Sequence, residues 1–315
     1  LILRAMVGLG VLAASQIPWG VTAQAASSGV LTIGADLSGT AAGTIYFDPA
    51  QFVVAENYWP YDWPVYASLL RLTPGGTYVP DLATRVTVPD PQSIDIQLRS
   101  GVVFSDGTAF TAEAVKAGFE RNINTAHQTA FSALLFDISG IDVTGPDSLV
   151  LHFSQPVANS FYPRLSDEEA FIVSPAAVAN RVDLNANPVG AGPFVLKSFV
   201  PGQRIVLLKN PHYWDAKRIK VSEIDFVDVL TGPQQVNALE SGLVQVEAGM
   251  PVTDLQPLKH AGSLQVSVSQ LDGQFLWLPI CKTAGPLADV RVRQALSYAT
   301  CLLYTSPSPR DRQKS

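Results

Sequence analysis

The segment LRSGVVFSDGTAFTAEAVKAGFER, residues 98–121, decides how the chain folds. It carries a strand end, a tight turn and a helix start in immediate succession. Ile94, Ile96 and Leu98 alternate with Asp95 and Gln97, the two-residue period of a strand with one wet face. Ser105-Asp106-Gly107 is a turn signal, because aspartate bonds its own backbone and glycine accepts left-handed dihedrals. Thr111 is suited to cap a helix, and Glu113 places negative charge in the first turn, where the helix dipole favours it. Val115, Phe119 and Ile123 then recur every four residues and form a buried stripe. A strand, a turn and an amphipathic helix in this order predict an α/β fold.

The same alternation extends outward in both directions. Residues 30–34 read as a strand ahead of a loop rich in Gly, Ala and Thr, and residues 46–66 are dense in aromatic side chains. Such rings fill cores and line pockets alike. Downstream, Gly145-Pro146-Asp147 turns the chain into an alternating strand over residues 149–153. Two prolines and two glycines within residues 187–193 mark a joint between lobes. That joint lacks the Lys-Ser/Thr of a phosphate loop and leads into a strand at residues 194–198 rather than a helix. Strands follow at 204–209 and 224–230. A short helix at 233–241 ends at Gly242, and residues 244–246 return as a strand.

Composition narrows the function. The 315 residues carry a net charge of -6 with no long Lys/Arg run, which excludes a phosphate backbone as partner. Hydrophobic residues at 47% and charged residues at 15% give ample material for two packed domains. Cys281 and Cys301 provide no disulfide framework. His127, His152, His212 and His260 are isolated, so neither metal ligation nor a cofactor is expected. No nucleophile elbow or zinc-protease motif occurs, and no catalytic residue is assigned. Asp167, Glu168 and Glu169 read as a solvated acidic edge in a loop; a glycosidase would need two carboxylates facing each other across a cleft.

The first residues read as an address. Arg4 supplies the positive charge, residues 5–17 are apolar, and Ala23-Gln24-Ala25 gives a small-x-small cleavage site before Ala26. A membrane anchor needs about 20 strongly apolar residues, and Gln16, Pro18, Gly20 and Gln24 interrupt this stretch. With no cysteine at the cleavage site for lipid attachment, an exported, soluble, periplasmic protein is expected.

Three segments together resemble the extracellular solute-binding proteins of family 5, the peptide/nickel class serving ATP-binding-cassette importers. The first is residues 98–121. The second is Val189-Gly190-Ala191-Gly192-Pro193-Phe194, followed by Asn210-Pro211-His212-Tyr213-Trp214. The third is Asp289-Val290-Arg291-Val292-Arg293-Gln294-Ala295-Leu296-Ser297-Tyr298-Ala299. The resemblance spans residues 30 to 299. Residues 300–315 depart from the family pattern, resemble translated sequencing-adaptor sequence, and are expected to lie outside the native fold.

The resemblance implies a two-lobed periplasmic-binding-protein-like fold, class II, with an extra inserted domain. It places a signal peptide at residues 1–25 and the first ligand-binding lobe at 26–66 and 190–279. The inserted domain takes 67–189, and 280–299 begins a second lobe that is largely missing. Ligand would be held between lobes that close on it by a hinge motion. Tyr46, Tyr61, Trp63, Phe275 and Trp277 are the aromatic candidates for ligand contact, with core packing as the competing reading for each. The implied cargo is a small solute, with peptide favoured over nickel chelate, sugar or opine. The implied partners are the permease subunits of the importer, the protein itself acting as a monomer. A ligand-presenting sensor and a periplasmic hydrolase are the alternatives.

Overall fold

Residues 98–121 fold as their pattern requires. Gly107 takes a positive φ of 84°, and the Asp106 carboxylate accepts the Thr108 N–H at 2.9 Å. The Thr111 hydroxyl accepts the Ala114 N–H at 3.2 Å and caps the helix. The computed structural model describes residues 29–38, 47–52, 59–73, 75–124, 135, 137–229, 232–247, 258 and 285–299. The chain divides into two units, Leu1–Leu271 and Asp272–Ser315.

In chain order the first unit contains β1 (Val30–Ala35), α1 (Trp59–Asp62) and a small hairpin of β2 (Leu70–Leu72) and β3 (Tyr78–Pro80). Next come β4 (Ala83–Asp90), β5 (Ser93–Leu98), α2 (Ala112–Ile123), β6 (Ile138–Gly145) and β7 (Ser148–Phe153). Two 3-10 turns, Tyr162–Ser166 and Glu168–Ala170, precede α3 (Pro175–Ala179). The unit continues with β8 (Phe194–Val200), β9 (Arg204–Lys209), β10 (Glu223–Asp228), α4 (Pro233–Glu240) and β11 (Val246–Glu247). In the second unit, a 3-10 turn at Pro286–Ala288 leads into α5 (Val290–Ala299). There the Asp289 carboxylate accepts the Arg291 N–H at 2.8 Å and pairs with the Arg291 guanidinium at 2.6 Å.

Two sheets organise the first unit. One has the order β11-β1-β10-β9-β8, with β1 parallel to both β10 and β11 and the remaining pairs antiparallel. The other is antiparallel, β4-β5-β7-β6, and lies in the chain between β1 and β8. Its register sets Ile94 against Leu151 and Ile96 against Leu149. These four residues share a buried core with Val115 and Phe119 of α2, so the helical stripe and the strand alternation meet on one face. The five-stranded sheet contributes Ile33, Phe194, Ile205, Leu207, Ile224 and Phe226 to a second core shared with Phe47, Tyr61 and Tyr66.

The Gly-Pro joint is a close approach of two backbones. Gly192 donates to the Val65 carbonyl at 2.9 Å, and Phe194 donates to the Pro64 carbonyl at 2.9 Å. A Cβ at Gly192 would meet the Pro64 and Val65 carbonyl oxygens at 2.5 Å, and one at Gly190 would collide with the Val65 carbonyl. The fully buried Asn210 side chain donates to the Gly192 carbonyl at 2.8 Å. Arg99 lies 3.8 Å from the centroid of Trp214, a cation–π contact. The signature segments of the first unit therefore brace one another.

Two expectations need correction. The strand expected at 244–246 is β11, at Val246–Glu247, because the Val244 N–H closes the end of α4 on the Ala238 carbonyl instead of joining the ladder. Glu168 and Glu169 do not form a solvated edge. They are 1% and 7% exposed, carried inward by a short 3-10 turn between buried Leu165 and buried Phe171.

Candidate functional site

In open α/β sheets, ligands settle outside the carboxyl ends of the parallel strands. Here β1, β10 and β11 run in the same direction, so their carboxyl ends form one edge. The edge is carboxylate-rich and tightly wired. The Asp228 carboxylate, at the end of β10, accepts the Leu37 N–H at 2.8 Å just beyond β1. Asp36 accepts the Ser38 N–H at 2.9 Å, and Val229 donates to the Ala35 carbonyl at 3.0 Å.

Glu247 anchors α4 to this edge. Gln235 accepts the Gly232 N–H at 3.2 Å through its amide oxygen and donates to Glu247 Oε1 at 2.8 Å. Glu247 is 4% exposed and its Oε2 has no hydrogen-bond partner among the described residues. That oxygen occupies the space a side chain on Gly34 would need. Burial pushes its carboxyl up to about 7, against a smaller opposing effect of the Gln235 bond. The edge can thus offer acceptors and a titrating carboxyl. Neither described histidine is bonded to a serine: His152 meets Asp142 at 3.0 Å, and His212 contributes only its backbone to Asn210.

The structure separates the aromatic candidates. Tyr61 is 1% exposed, with its ring centroid 5.9 Å from both Phe47 and Phe226, which is core packing. Trp63 is half-buried and stands edge-on to Phe171 at 5.0 Å. Tyr46, Phe275 and Trp277 lie outside the described residues.

Sequence reasoning missed the buried acids. Asp62, Glu168, Glu169 and Glu247 are all less than a tenth exposed. The one signal available was that Asp62 stands between Tyr61 and Trp63, Glu247 between Val246 and Ala248, and the Glu168-Glu169 pair a few residues from Leu165 and Phe171; a composition-based reading treats such acids as surface. A shallow groove of about 340 Å³ also crosses the other sheet, lined by Arg85, Thr87, Asp95, Gln97, Thr144 and Ser148 among others. It lies on the four-stranded sheet and contains no residue of the strand-end edge. Among the described residues no group of three or more potential ligands could hold a metal ion, and no helix is long and apolar enough to cross a membrane.

Comparison with known proteins places these features in context. Residues 77–301 match the family described as bacterial extracellular solute-binding proteins, family 5 Middle. The Escherichia coli K12 protein named "Probable D,D-dipeptide-binding periplasmic protein DdpA" is 32% identical over 279 residues, covering 83% of this chain and 52% of that protein. The glutathione-binding protein GsiB of Escherichia coli K12 is 26% identical over 220 residues, 69% of this chain and 43% of that one. Among solved structures, the Escherichia coli murein tripeptide binding protein MppA superposes with a TM-score of 0.67 at 20% identity, over 88% of this chain and 57% of that chain. The chain spans about half the length of the curated relatives it matches.

Proposed function

The chain belongs to the bacterial extracellular solute-binding proteins of family 5, and from that premise we propose that it captures peptides in the periplasm. It then delivers them, chemically unaltered, to the permease of an ATP-binding-cassette importer. The observation that carries the reading is the family match over residues 77–301. The choice of peptide over other solutes is supported by two relatives named for a D,D-dipeptide and for glutathione.

The sheets support the following lobe assignment. Residues 26–66 and 190–279 make the first lobe, in which β1 pairs with strands from beyond the joint. Residues 67–189 make the inserted domain around the antiparallel sheet, and 280–299 begin the second lobe. Cargo lies against the carboxyl edge of β1, β10 and β11, the side on which this sheet type offers its crevice. Of the described aromatic candidates, Trp63 has side-chain surface to offer a ligand, whereas Tyr61 supports the core beneath. The protein works without a cofactor, as a monomer.

A thermal-shift screen of the full-length protein tests this reading, since a ligand that binds the native state alone raises the melting temperature. Di- to pentapeptides are expected to raise it, and nickel–histidine chelates and oligosaccharides to leave it unchanged. A shift with the chelate or the sugars and none with peptides would overturn the peptide assignment.

A further inference from the structure

Two hydrophobic cores meet along a seam that the chain crosses repeatedly. Tyr61, Val65 and Tyr66 belong to the core of the five-stranded sheet, whereas Ala67 and Leu69 belong to that of the four-stranded sheet. On a second crossing, Leu165 and Ala170 lie in the four-stranded sheet's core and Phe171 in the other. Each crossing carries a buried acid, Asp62 on the first and Glu168 on the second, 0% and 1% exposed. None of their four carboxyl oxygens has a hydrogen-bond partner among the described residues, and Asp62 is near enough for its negative charge to disfavour that of Glu168.

The surrounding charges offer no relief. Arg121 is held by Asp48 in a two-point pair at 2.7 and 2.6 Å. Arg164 lies 3.4 Å from Glu169 Oε1, while Glu169 Oε2 has no partner. Asp167 adds a further carboxylate, accepting the Glu168 N–H at 3.1 Å. The Tyr66 hydroxyl donates to the Phe47 carbonyl at 2.9 Å, and the Trp63 indole exerts only a weak pull toward the charged form of Glu168. With both nearby arginines engaged, a carboxyl in such surroundings neutralises itself by taking a proton.

We propose that Asp62 and Glu168 form a proton-held latch in the seam, both carboxyls being protonated while the two cores are closed on each other. Loss of those protons loosens the seam. Burial raises both carboxyls well above the ordinary carboxylate range, in line with the geometry. For acids raised in the folded state, stability is greatest below the unfolded value of about 4. It falls as the pH climbs toward the folded values.

The test compares the full-length protein with its D62N/E168Q variant across pH. Asp81, Glu169 and Glu247 also titrate, at about 6, 7 and 7, so the readout is the difference between the two proteins. The variant is expected to gain on the parent by about 4 °C or more in melting temperature between pH 5 and pH 8.5. The amides of Val65, Tyr66 and Phe171, which close the turns at the two acids, are expected to lose exchange protection in the parent alone as the pH rises. Parallel melting curves and unchanged protection would overturn the latch. If the double variant does not fold, infrared spectra of the parent and of the single variant D62N decide. A protonated-carboxyl band that the parent keeps above the range of ordinary carboxylates and that D62N diminishes supports the latch, and a band that D62N leaves unchanged refutes it.

Discussion

Glu247 is clamped by one hydrogen bond from Gln235 while its other oxygen lies over Gly34. Its carboxyl titrates at about 7 because burial penalises the charge. The unfolded chain releases that proton at a lower pH, so the stability Glu247 contributes is full in acid and is lost as the pH rises through about 7. E247Q is therefore expected to match the parent near pH 4 and to melt at a higher temperature than it at pH 8, read by differential scanning calorimetry. Tyr61 and Trp63 separate at the same scale. Y61A, which empties a site enclosed by Phe47 and Phe226, is expected to cost about 3–5 kcal/mol in denaturant unfolding. W63A removes a half-buried ring and is expected to cost less stability while weakening peptide binding; equal losses of stability for the two would contradict this division.

At the level of elements, caps and close approaches decide the fold. T111A removes the hydroxyl that satisfies the Ala114 N–H at the start of α2 and is expected to lower stability by about 1 kcal/mol. G192A is expected to cost more, because a methyl there meets two carbonyl oxygens of the 64–65 segment and the backbone contact of the joint must open. Both are measurable by urea denaturation. Elements with strong periodicity were legible from sequence: α2 from its four-residue stripe and β5 and β7 from their alternation. The joint was legible as a break, but its role as a backbone clasp was not, since nothing in Gly-Ala-Gly-Pro names the carbonyls it meets. The start of β11 was misplaced because the Val244 N–H is taken by the helix end, a competition that pattern alone does not reveal. The acids at 62, 168 and 169 were illegible for a related reason. Charge in a short turn reads as solvated unless the packing on both sides is known.

Across the whole chain, an α/β core with an interposed antiparallel sheet and a family match over residues 77–301 show a family 5 solute-binding protein, and relatives named for peptides support the proposal that its cargo is a small peptide. The signature segments of the first unit brace one another at the joint, so they mark the fold of the family more sharply than its cargo. The proposed role of the whole molecule is capture without chemistry. Native mass spectrometry of the full-length protein with a mixed di- to pentapeptide library addresses both halves of it in one spectrum. One-to-one complexes are expected, from which each peptide is recovered at its original mass. Protein that emerges unliganded at saturating peptide, or peptides recovered as cleavage fragments, would contradict it.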